Sequence, residues 1–98
     1  MTSYAATDVT NAQAEAMAAT REAAARRARL APFAQLSCRE AAVLVEMMEG
    51  LSADEIAAKH FVSTSTVRTQ IRGILKKLGV SSQLAAVARA YQAGWQLD

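Results

Sequence analysis

Cysteine, proline and aromatic side chains are all scarce in this 98-residue chain: one cysteine, one proline, one tryptophan, two tyrosines and two phenylalanines. The lone Cys38 excludes an intrachain disulfide and a thiolate metal cluster, and suits a reducing compartment. It reads as a small residue in the first turn of a helix. With a single histidine, no glycine-rich phosphate loop and no carboxylate pair around a cleft, no catalytic constellation can be assembled. The expectation is a protein that is not an enzyme and takes no cofactor or metal. No stretch approaches the ~18 apolar residues of a membrane span. The N-terminus also lacks a basic segment followed by an apolar one. A soluble, unexported, cytoplasmic protein without a membrane partner is expected.

What is present points to helices. Hydrophobic residues make up 52% of the chain, and alanine supplies much of that share. Ala, Leu, Glu, Arg and Met favour helix, whereas runs of Val, Ile, Thr and aromatics are scarce. The length allows one modest all-α domain. The net charge of +2 means little by itself, but its distribution is informative. Residues 37–58 set Arg39 against Glu40, Glu46, Glu49, Asp54 and Glu55, while residues 63–78 carry Arg68, Arg72, Lys76 and Lys77 with no acid. A polyanion would meet the second segment and avoid the first.

Residues 1–9 show no period and are expected to be loose. From Thr10 an alanine-rich helix should run to Ala31, with a Thr10–Gln13 capping box, a Glu22–Arg26 pair one turn apart, and Pro32 as its stop. Its large apolar residues are only Met17 and Leu30, so it reads either as an exposed leader or linker or as a dimerisation helix. Four serine-capped segments follow, giving expected helices at 38–49, 53–60, 64–78 and 82–93. Ser37 with Glu40 and Ser52 with Glu55 form capping boxes, Ser63 and Ser81 precede the last two helices, and Gly50, Gly79 and Gly94 mark ends.

Between the second and third of these helices lie only Phe61, Val62 and Ser63, a helix-turn-helix spacing. At ~100° per residue, Val67, Ile71, Ile74 and Leu78 fall within about 60° and form a buried stripe. Ser65, Arg68, Thr69, Arg72 and Lys76 occupy a separate arc about 100° wide that is polar, cationic and free of acid. Two guanidinium groups one turn apart can each fork onto a guanine edge, and Thr69 offers a methyl and a hydroxyl between them. Lys76 lies farther along and suits a phosphate.

The stretch LSCREAAVLVEMMEGLSADEIAAKHFVSTSTVRTQIRGILKKLGVSSQLAAVARA resembles the LuxR/FixJ-type DNA-binding output domain from end to end. The LS.RE opening at Leu36, Ser37, Arg39 and Glu40, the EIA…S..TV centre, and the Lys77-Leu78-Gly79-Val80 exit carry the likeness. The resemblance implies a four-helix helix-turn-helix domain over 36–98, preceded by the alanine-rich helix in a leader over 1–35. It implies a sequence-specific transcriptional regulator with helix 64–78 in the major groove of double-stranded DNA. Arg68, Thr69 and Arg72 would contact bases. Ser52, Ser63, Ser65, Thr66, Gln70, Lys76 and Lys77 would contact the backbone. Asp54 stands where a basic or neutral residue is usual, Gln70 and Gln83 replace common His/Asn and Arg, and His60 replaces a leucine and is read as filling a core edge.

The family pairs through its last helix, which implies a homodimer through 82–93, with helix 10–31 as a second candidate and RNA polymerase as a further partner. Within 82–93, Leu84, Val87, Ala88 and Tyr91 read as the core stripe, extended by Trp95. Ala86, Ala90 and Ala93, with Gln83 beside them, read as the dimer face. Two other functions share parts of the pattern. One is a promoter-binding module like sigma-factor region four, which a fourth helix after KLG disfavours. The other is a protein-interaction module, which the intact basic arc disfavours. Residues 1–35 are too short for the receiver or ligand-binding domain usual before such a domain. The chain is therefore either a stand-alone regulator or the output end of a longer one.

Overall fold

The computed structural model describes the backbone of residues 2–97 and the side chains of residues 10–97. It is helical throughout: α1 (Thr2–Leu30), a 3-10 turn (Ala31–Gln35), α2 (Cys38–Met48), α3 (Ala53–His60), α4 (Thr64–Leu78) and α5 (Gln83–Ala93). No helix among the described residues is long and apolar enough to cross a membrane.

Local chemistry sets these boundaries. Ser37 and Ser52 each accept the amide of the third helical residue, while Glu40 and Glu55 return the bond to the cap amide at 2.9 Å, so both expected capping boxes form. Ser63 caps α4 through the Thr66 amide. The cap of α5 is Ser82, not Ser81: its hydroxyl accepts the Ala85 amide at 3.1 Å, and one more residue is left to the linker. α3, α4 and α5 end alike. A left-handed residue is followed by an amide that reaches back to the last turn: Val62 to Ala57, Val80 to Leu75 and Trp95 to Ala90. Gly79 and Gly94 serve two of these turns, but Phe61 takes the third with φ of 57°, a conformation that costs a side chain about 1 kcal/mol or more.

α1 begins at Thr2, so the helix starts well before the expected Thr10 and the Thr10–Gln13 box does not act as its cap. No proline or glycine interrupts residues 2–9, and their alanines favour continuation. Side chains 10–29 are exposed except for Ala18, which is half-buried. The Glu22–Arg26 pair does not close, because in open water such a pair gains little over solvation. Among the described residues Lys77 forms an ion pair with Glu40, and His60 lies within hydrogen-bond distance of Glu46. α1 meets the rest through its C-terminal end, against the 3-10 turn and α5, and the molecule is accordingly 73 × 20 × 20 Å.

The core lies among α2, α3, α4 and α5, centred on Val43, Leu44, Ile56, Val67 and Ile74. Phe33, left in the leader by sequence, belongs to this core: it is buried and stacks on Trp95 with centroids 5.4 Å apart. α5 corrects the sequence reading more sharply. Ala86, Ala90 and Ala93 are the residues it buries, whereas Leu84 is 78% and Tyr91 62% exposed. The alanines bring the α5 backbone close to α2 and α4, and a leucine on that face would hold the helices apart. Two polar ties fix this docking: the Tyr91 hydroxyl donates to the Met48 carbonyl at 2.8 Å, and Arg89 donates to the Leu78 carbonyl at 2.9 Å.

Candidate nucleic-acid interface

α3, its left-handed Phe61 turn and α4 pack directly on one another, and α2 braces α4. At the end of α3, His60 Nε2 meets the buried carboxylate of Glu46 on α2 at 2.5 Å, which places His60 at the core edge. The other Glu46 oxygen is buried and has no hydrogen-bond partner among the described residues. At the far end of α4, Lys77 donates to Glu40 at 2.5 Å. Burial pushes the Glu40 carboxyl up, but the Lys77 ammonium and the Ser37 cap overcome that and hold it below its ordinary value. Its second oxygen lies over Gly73, where a Cβ would meet it. Gly73 thus leaves room on α4 for the Glu40 carboxylate.

The buried stripe is the expected one: Val67, Ile71, Ile74 and Leu78. Opposite it, Ser65, Arg68, Thr69, Arg72 and Lys76 are all exposed. Within that arc, Thr69 donates its hydroxyl proton to the Ser65 carbonyl at 3.1 Å and accepts from Arg72 Nη2 at 3.0 Å. Arg72 is therefore held in place before any ligand arrives. Thr69 keeps a methyl and an acceptor to offer, but its donor is committed. Arg68 and Lys76 have no hydrogen-bond or ion-pair partner among the described residues.

The expected backbone-contacting residues divide by availability. Ser52, Ser63 and Thr66 are exposed at the starts of α3 and α4, yet the Ser52 and Ser63 hydroxyls already serve as caps, and the Thr66 hydroxyl is engaged with that of Ser63 at 2.9 Å. Gln70 is half-buried, between the arc and the stripe. Lys77 is drawn away from the arc by Glu40, because a close carboxylate shielded from water outcompetes solvent for the ammonium. The expected dimer face of Ala86, Ala90 and Ala93 lies inside the core, leaving only Gln83 of that set exposed.

Sequence reasoning missed the Glu40–Lys77 tie, the need for Gly73, and the Thr64–Asp54 hydrogen bond of 2.9 Å that joins the starts of α3 and α4. Glu40 had a local explanation in its cap, which concealed its second role. Gly73 carried a signal, as a glycine inside a strong helical pattern needs a packing reason.

The geometry coincides with clear likenesses. The family model described as bacterial regulatory proteins, luxR family, matches residues 34–90. A probable transcriptional regulatory protein NarL of Mycobacterium tuberculosis is 48% identical over 65 residues, covering 65% of this chain and 30% of the relative. A nitrate/nitrite response regulator protein homolog of Haemophilus influenzae is 41% identical over 61 residues, covering 62% of this chain and 29% of the relative. The crystal structure of response regulator ChrA, from a heme-sensing two-component system, superposes with a TM-score of 0.56 at 44% identity, over 58% of this chain and 28% of that one. The chain thus corresponds to less than a third of each of these proteins.

Proposed function

The chain belongs to the luxR family of bacterial regulatory proteins, and from that membership we propose that it is a sequence-specific, double-stranded-DNA-binding transcriptional regulator acting in the cytoplasm. The observation that carries the reading is the exposed, acid-free cationic arc of α4, with Arg72 already positioned by Thr69. α4 enters the major groove. Arg68 and Arg72 fork onto base edges, and the Thr69 methyl lies between them. Lys76 pairs with a phosphate, and Ser52, Ser63, Ser65, Thr66 and Gln70 line the backbone path. Lys77 contributes through the helix end it holds on α2. Residues 1–30 form the leader, and the 3-10 turn belongs to the DNA-binding unit, since Phe33 is buried in its core.

Two copies bind together through α5. The face available for this is Leu84, Ala88 and Tyr91, spaced i, i+4 and i+7 and all exposed. Three alanines on the opposite side dock α5 in its own core, which supports a LuxR-type domain over a sigma-like one. RNA polymerase is the natural further partner of a regulator so bound. Selection of binding sites from a random duplex pool, with the mass of the bound species measured, tests the proposal. A defined sequence held by two copies is expected, and enrichment of no sequence would remove it.

A further inference from the structure

The start of α4 lies against the start of α3, and a carboxylate stands between them. Ser52 and Ser63 cap the two helices, and the Thr64 hydroxyl donates across to Asp54 Oδ1 at 2.9 Å. Both helix starts present first-turn amides and the positive end of a helix dipole, surroundings that favour a phosphate. α4 brings no acid to its first turn, but α3 brings Asp54 and Glu55. Glu55 folds back on its own cap, where the Ser52 amide and hydroxyl hold its carboxyl below the ordinary value. Asp54 instead is exposed and reaches over to Thr64, next to Ser65 where the cationic arc begins.

We propose that Asp54 limits the affinity of the DNA face: its carboxylate pins α3 to α4 through Thr64 and, lying between Ser52 and Ser65 of the proposed backbone path, repels DNA of every sequence. The inference rests on the reading of α4 as the recognition helix. Repulsion between two unit charges several ångströms apart in water corresponds to about a threefold change in binding constant, and salt screens it.

Two substitutions in the full chain separate the charge from the bond. Asp54→Asn removes the charge and leaves an acceptor for Thr64, whereas Thr64→Val removes the bond and leaves the charge. Each is titrated with the selected duplex and a scrambled one at several salt concentrations. Asp54→Asn should bind both duplexes about threefold more tightly at low salt, with the gain shrinking as salt rises, and should melt slightly lower because α3 loses a negative charge at its positive end. Thr64→Val should bind the scrambled duplex as the parent does and lose part of its preference for the selected one, since α4 is less firmly held. Unchanged or weaker binding of Asp54→Asn to the scrambled duplex would overturn the inference, as would a gain confined to the selected duplex. Lys76→Ala serves as the control. If it fails to weaken either duplex, the recognition-helix reading falls; if it weakens both while Asp54→Asn changes nothing, only the present inference falls.

Discussion

α4 and α5 close the same core, yet they put opposite kinds of residue inside. α4 buries Val67, Ile71, Ile74 and Leu78 and shows solvent a cationic arc. α5 buries Ala86, Ala90 and Ala93 and shows solvent Leu84 and Tyr91. A large apolar side chain gains about 1.5–3 kcal/mol on burial, so each one left exposed forgoes that gain until something covers it. The outside of α4 is fit for a polyanion and the outside of α5 for an apolar partner. In the function proposed above, DNA covers the outside of α4 and a second copy covers the outside of α5.

The contrast is broken most forcefully on the inner faces. Ile74→Ala empties a fully buried site in α4 and should lower stability by about 3 kcal/mol, read from chemical denaturation. Ala90→Leu makes the opposite error in α5, forcing a side chain into a contact built for alanine, and should cost about 2 kcal/mol. A neutral or stabilising Ala90→Leu would mean that α5 docks more loosely than described.

The same pair of helices shows what sequence alone can reveal. Stripe and arc in α4 were legible because large residues at helical spacing leave a single way to bury them. The faces of α5 were inverted because hydrophobicity ranks Leu84 and Tyr91 above alanine, while the closeness of α2 and α4 selects for small size. That closeness is a tertiary fact. Caps were legible because their chemistry is local: both capping boxes lie within three residues. Phe33 was misassigned for the converse reason, as its partner Trp95 is at the other end of the chain. The Glu46–His60 contact likewise joins two helices and leaves no periodic trace.

On the outer face of α5, Leu84→Glu should leave the melt unmoved, since the side chain is exposed. It should weaken binding to a full two-copy site by about tenfold, roughly 1.4 kcal/mol, and leave half-site binding intact. Unchanged full-site binding would move the pairing surface elsewhere.

A smaller effect distinguishes how the two helices are tied down, because only α4 uses an ion pair. The Glu40 carboxyl is held below its ordinary value in the folded chain, so its contribution is present at neutral pH and is lost as pH falls through the folded-state value. Glu40→Gln should lower neutral-pH stability by about 1 kcal/mol and flatten the decline of stability on acidification. A parent and variant that lose stability in parallel on acidification would show that Glu40 does not couple α2 to α4 through its charge.

On the proposed function, the outer arc of α4 reads sequence. Its most direct test is the ratio of affinities for the selected and scrambled duplexes, measured at fixed salt for the parent, Arg68→Ala and Arg72→Ala. Each substitution should cost about 1–3 kcal/mol on the selected duplex and much less on the scrambled one, so that discrimination collapses while the melts stay put. Variants that bound more weakly yet kept the parent's full ratio would contradict the account, leaving α4 a helix that holds DNA without reading it.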